Sequence, residues 1–294
     1  VNVAGNNIDN LIGEISLNNT IYKEGTARYS FDVLSLVSEV KNNKKSLTLL
    51  SDFAEADMTG NFKILELPVS LEKLMSNYLP EYFDGKAQYQ NLSPQIFNYE
   101  VVFKNTDALT RLFIPALTIA PLTRIAGEFN STTNSLELQG KSANIKIGNM
   151  ILKNWNTQIS ANNKLLFNVG CESFYLTDST FFKAFNVNGT AKRDTVNWDV
   201  TWNNNTVLQN KGDIKGSVRF ETNNMIKLMI LPSQLVFEDS LWNIAMEKEA
   251  SIDTSFFSIS KLSFQHNNQS MTNLKYRSTI LIWLILTLLQ LRLV

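Results

Sequence analysis

Three carboxylates crowd into "SDFAEADMTGNFKI" (51–64): Asp52, Glu55 and Asp57. Paired acids of this kind do acid–base work when a cleft sets their pKa values apart. The spacing here points elsewhere. Ala54, Ala56, Met58, Gly60, Phe62 and Ile64 hold the even positions, and Glu55, Asp57, Thr59, Asn61 and Lys63 the odd ones. Side chains alternate across a strand, so the acids share a polar, solvated face. The other chemistry-bearing residues are few. The single histidine, His266, lies in "QHNNQS", which reads as a surface loop. The single cysteine, Cys171, lies in "LLFNVGCESF" and reads as a small buried apolar residue. One Cys allows no disulfide within the chain and no thiolate metal site. No G-x-G-x-x-G, Walker loop, G-x-S-x-G or H-E-x-x-H is present. Composition leaves carboxylate-only chemistry of the glycosidase type open. The expectation is a protein that is not an enzyme, with no cofactor and no metal.

The elements that must position any site are strands. Residues 54–64 repeat a pattern seen in "TVNWDVTW" and "DIKGSVRFE", and less cleanly in "LIGEISL". Shorter cases are "SLELQGK", "ANIKIGN" and "SFFSISKLSF". Asn-rich clusters such as "KNN" and "ANN" punctuate them as turns. The spacing predicts an all-β, antiparallel array with one wet face. Lys+Arg and Asp+Glu are both 27, so the chain has no basic footprint for nucleic acid.

Two stretches break the rhythm. "LPVSLEKLMSNYLPEYF" (67–83) predicts a helix with Ser70 as N-cap and Pro80 as its stop. "TDALTRLFIP" (106–115) gives a second helical signal, so a helix-bearing insertion is expected at about 68–116. The region 1–271 reads as one continuous β unit. Residues 272–294, including "STILIWLILTLLQLRLV", change composition abruptly and read as a tail of foreign origin or a membrane segment. No signal peptide is visible at the start, which suits a fragment with its targeting segment upstream.

The apolar face is the informative one. Its candidate lining residues are Ala54, Ala56, Met58, Phe62, Ile64, Val196, Trp198, Val200, Trp202, Ile214, Val218 and Phe220. A β-sandwich or solenoid of adhesin type would seal this face. A curled sheet would leave it lining a trough for greasy cargo. Periodicity supports both equally.

A resemblance favours the trough. "LTLLSDFAEADMTGNFKILELPVSLEKLMSNYLPEYF" (47–83) resembles a segment of the TamB-type translocation and assembly module proteins of the Bacteroidetes group. The likeness runs through Ser51, Asp52, Phe53, Ala56, Gly60, Asn61, Phe62, Leu67, Pro68, Tyr78, Leu79, Pro80, Tyr82 and Phe83. Residues 231–271 resemble the same family at Pro232, Ser233, Asp239, Trp242 and Ile244. The likeness stops after Met271. It implies an elongated sheet folded into a U-shaped, apolar-lined groove. It also implies a periplasmic place in the bacterial envelope, with an inner-membrane anchor outside this chain. The implied cargo is phospholipid or another hydrophobic molecule, and the implied partner an outer-membrane barrel-assembly protein. A folding or insertion scaffold would share the groove and differ in cargo.

Overall fold

The computed structural model describes residues 2–272 apart from 26, 84–88, 108–109, 111–113, 178, 205–206, 253–256, 259–261 and 268. The tail at 273–294 lies outside the described residues. Among those residues, all strands join one antiparallel sheet that is not closed into a barrel.

The first strands are β1 (Asn2–Ala4), β2 (Ile12–Glu24), β3 (Ala27–Lys41), β4 (Lys44–Ser51), β5 (Ala54–Asn61) and β6 (Ile96–Phe103). Next come β7 (Leu117–Ile119), β8 (Arg124–Asn130), β9 (Ser135–Ile147), β10 (Met150–Ala161) and β11 (Leu165–Tyr175). Then follow β12 (Phe181–Lys192), β13 (Thr195–Asn203) and β14 (Lys211–Glu221). Each pairs with its chain neighbours, except that β8 takes the place beside β6 and the short β7 lies against the far half of β9.

Beyond β14 the strands are β15 (Met225–Ile230), β16 (Ser233–Phe237), β17 (Ser240–Met246), β18 (Ala250–Ile252), β19 (Phe257–Ser258), β20 (Leu262–His266) and β21 (Gln269–Thr272). β15 and β16 both lie against β14, so they are two halves of one strand broken at Leu231-Pro232. Proline lacks the N–H that an unbroken ladder needs. β17 and β18 repeat the break one strand further out.

The strands "TVNWDVTW", "DIKGSVRFE" and 54–61 lie where alternation predicts. "SLELQGK" and "ANIKIGN" are two ends of the single strand β9. Tight hairpins carry two successive left-handed residues, the geometry that matches strand twist. Asn42-Asn43 supplies one such pair, as the Asn clusters predict, but Arg193-Asp194 and Glu238-Asp239 supply others without any Asn or Gly.

Helix α1 runs Leu67–Ser76. It begins earlier than predicted because Pro68 seeds the first turn, where its missing N–H costs nothing. Ser70 is therefore inside the helix and is not its cap; its hydroxyl is buried without a partner. The predicted insertion resolves into two excursions, because β6 between them is a full sheet member paired with β5 and β8. In the second excursion Thr110 N–H donates to Thr106 O at 2.8 Å and Ile114 N–H to Thr110 O at 2.7 Å, which is helical spacing. Residues 108–109 and 111–113 lie outside the described residues.

The first excursion, residues 62–83, crosses one end of the sheet. Lys63 N–H donates to Gln95 Oε1 at 2.8 Å. Further along, the Tyr78 hydroxyl donates to Asn162 O at 2.6 Å. Asp194 binds both ways, its N–H donating to Tyr78 O at 2.9 Å and its Oδ1 accepting Glu81 N–H at 2.7 Å. Tyr82 meets Phe220 edge-on at 5.0 Å between centroids. This cap thus ties the end of β5 to the β10–β11 turn, the β12–β13 turn and the end of β14.

Candidate functional site

Pairing register places one face of β5 in a continuous apolar row. Ile15 opposes Leu36, Leu36 opposes Leu49, Leu49 opposes Ala56, Ala56 opposes Val101, and Val101 opposes Ile125. The row crosses β2, β3, β4, β5, β6 and β8, about 24 Å at about 4.8 Å per step. All of its members are half-buried, and none belongs to either buried cluster of the protein. Leu47, Met58 and Tyr99 run beside it, in register, toward the cap.

The first buried cluster lies under the cap. Leu74, Tyr78 and Leu79 pack there with Phe62, Phe97, Phe129, Ala161, Leu165 and Ala191. The second gathers Phe174, Phe182, Phe185, Val200, Trp202 and Ile214 with Leu228, Ile230, Ile244 and Met246. Ile230 is 1% and Ile244 2% exposed.

Ten of the twelve predicted lining residues share one face of the sheet, and the twelve meet three environments. Ala56 lies in the open row and Met58 at its margin; Ala54 is buried beside Phe103. Phe62 and Ile64 fall beyond the end of β5, where residues 64–66 make a 3-10 turn, and join Val196 and Phe220 under the cap. Val200, Trp202 and Ile214 are buried in the second cluster, with Trp198 and Val218 packed against it.

Two features hold this face together that alternation does not reveal. One is the seating of aromatic rings on glycines across the ladder. A Cβ on Gly189 would lie 2.0 Å from Phe167 Cζ, and one on Gly216 would lie 2.4 Å from Trp198 Cζ2. Each ring lies flat over the opposing glycine, the pairing that rescues glycine in a sheet. The other is a fold line. Pairing skips the row Ala143, Asn154, Glu172 and Ala184, and Asn154 and Ala184 have φ of 51° and 47°. Leu152 and Trp155 therefore reach the same cluster, as do Phe182 and Phe185, although their numbers differ in parity. The Asn154 amide donates to the Glu172 carboxylate across this line.

The opening acids lie on the opposite face. Glu55 pairs with Lys104 at 2.7 Å, and Asp57 accepts the Thr48 hydroxyl at 2.8 Å. Asp52 is structural, since its Oδ2 accepts the Asp32 and Val33 N–H groups at 2.5 and 3.3 Å. Glu100, directly across from Asp57, is gripped by the Arg124 guanidinium through both carboxylate oxygens. That fork holds the Glu100 carboxyl below the usual carboxylate range, the opposite of what a general acid needs. His266 ends β20 rather than lying in a loop; its ring stacks on Trp242 at 5.0 Å and its Nδ1 meets Leu241 O at 2.8 Å. Cys171 is buried, and burial pushes its thiol up to about 11. Among the described residues no group of His, Cys, Asp and Glu is arranged to hold a metal.

No protein-family model matches the chain, and neither a curated protein nor a solved structure matches it.

Proposed function

We propose that the chain is a segment of a TamB-like envelope protein whose apolar face carries phospholipid or other hydrophobic cargo between the inner and outer membranes, with a role in outer-membrane protein assembly. The observation that carries this reading is the half-buried row from Ile15 to Ile125, which is apolar at every step and lies outside both buried clusters. A lipid in transit needs that continuity. Each acyl CH₂ gains about 0.8 kcal/mol on leaving water, so roughly 30 methylenes exposed together would cost on the order of 24 kcal/mol. The adhesin-like alternative calls for a face sealed throughout, as it is at Ile230 and Ile244, whereas the row from Ile15 to Ile125 lies outside both buried clusters. Among the described residues no helix is long and apolar enough to cross a membrane.

The test is a photoreactive residue at Val101 in protein made in a bacterial envelope, with the same residue at Asp57 as the opposite-face control. Phospholipid crosslinked at 101 and not at 57 is the expected result. Crosslinks from 101 that reach only this chain's own residues would remove the transport reading.

A further inference from the structure

A pocket of about 530 Å³ lies across β10 to β14, lined by polar-face side chains and also by Phe167, Gly189, Trp198 and Gly216 of the ring-on-glycine pairs, and is within the usual range for small-molecule sites. Its floor is one cross-strand row, Gln158, Asn168, Asn188, Asp199 and Lys215, each directly opposite the next. The middle of that row is fixed in orientation. Asn168 Nδ2 donates to Asn188 Oδ1 at 2.6 Å and to Asn186 Oδ1 at 2.9 Å. Asn188 Nδ2 donates to Asp199 Oδ2 at 3.0 Å, which leaves the other carboxylate oxygen for an incoming hydroxyl. Gln158, Thr190 and Asn197 also line the pocket and, among the described residues, are engaged in no side-chain hydrogen bond. Leu166 and Leu231, both exposed, add apolar carbon.

We infer that this pocket binds a neutral saccharide of one or two rings. The polar side chains are mostly uncharged amides and hydroxyls; Lys215 is ion-paired with Asp213 at 3.3 Å, Asp199 is held by Asn188, and apolar carbon makes up much of the rest of the lining. Amides offer donors and acceptors together, which matches sugar hydroxyls that are themselves both. The backbone groups in mid-sheet are spent on cross-strand pairing, so an extended peptide has no ladder to join. The two leucines meet the C–H faces of a ring. This site is independent of the apolar row.

The experiment is saturation-transfer NMR and calorimetry on the full chain with cellobiose, maltose and N,N′-diacetylchitobiose. At least one should bind saturably. The double variant Gln158→Leu, Asn197→Leu alters only groups without intramolecular partners. It should weaken that binding at least about tenfold, which corresponds to about 1.4 kcal/mol. Urea melts of both chains should coincide. Failure of all three sugars to bind the folded wild-type chain would overturn the inference, as would undiminished binding by the double variant.

Discussion

Val101→Asp and Ile244→Asp make the same chemical change at two apolar positions of one face, and their difference measures whether that face is open. Val101 is half-buried in the row; Ile244 is 2% exposed within the second cluster. Full burial of such a side chain stabilises by about 1.5–3 kcal/mol, so half-burial at Val101 is worth about 1. An aspartate there keeps its water and loses in addition up to about 1 kcal/mol of strand preference. The expected cost is therefore about 2 kcal/mol. At Ile244 the full transfer term is lost and a charge is buried without a partner, several kcal/mol more. The sum approaches the whole stability of an ordinary domain, about 5–15 kcal/mol. Urea unfolding followed by tryptophan fluorescence reads both. Val101→Asp should shift the midpoint modestly, and Ile244→Asp should leave no folded baseline. Equal losses at the two positions would mean that the row is sealed core, and the open-face reasoning would fail.

Three further outcomes follow from particular contacts. Gly189→Ala places a methyl 2.0 Å from Phe167 Cζ, so it should destabilise strongly in a urea melt, and adding Phe167→Leu should restore part of the loss. Cys171, with its thiol pushed to about 11 by burial, should resist thiol reagents at pH 8 until urea unfolds the chain. The folded state keeps that thiol neutral while the unfolded state ionises near 9, so its contribution is full below about pH 9 and is lost between pH 9 and 11. Asp194→Ala removes the acceptor for Glu81 N–H, and limited proteolysis should then cut between residues 77 and 83 faster than in the wild type.

Alternation made the strands at 54–61, 195–203 and 211–221 legible, because a period of two is intrinsic to a pleated chain. It also put ten of the twelve predicted lining residues on one face of the sheet, Phe62 and Ile64 lying beyond β5. It could not say which part of that face is open, since Ala56 and Val200 obey the same pattern and differ only in what distant strands bring near them. It stalled at Asn154 and Ala184, where a left-handed residue resets the phase and the apolar positions switch parity. The strand-to-cap change at Phe62 was hidden because Phe62 and Ile64 extend the period of two past the point where the backbone turns. The amide row of the polar pocket was missed because Gln158, Asn168, Asn188 and Asp199 are scattered along the sequence and meet only through register.

The chain-neighbour pairing of the sheet also carries an order of assembly. Nearly every strand from β2 to β14 needs only what lies before it, so the sheet can grow strand by strand as the chain emerges, most steps closing a short loop. Residues 62–83 are the exception. Leu74, Tyr78 and Leu79 are made early, yet their partners Ala161, Leu165 and Ala191 come far later in the chain, and Asp194 and Phe220 later still. The cap can meet Phe97 and Phe129 early, but its docking is complete only when the last of those strands is laid down. Its docking then marks the moment at which a growing ribbon becomes a finished, latched unit.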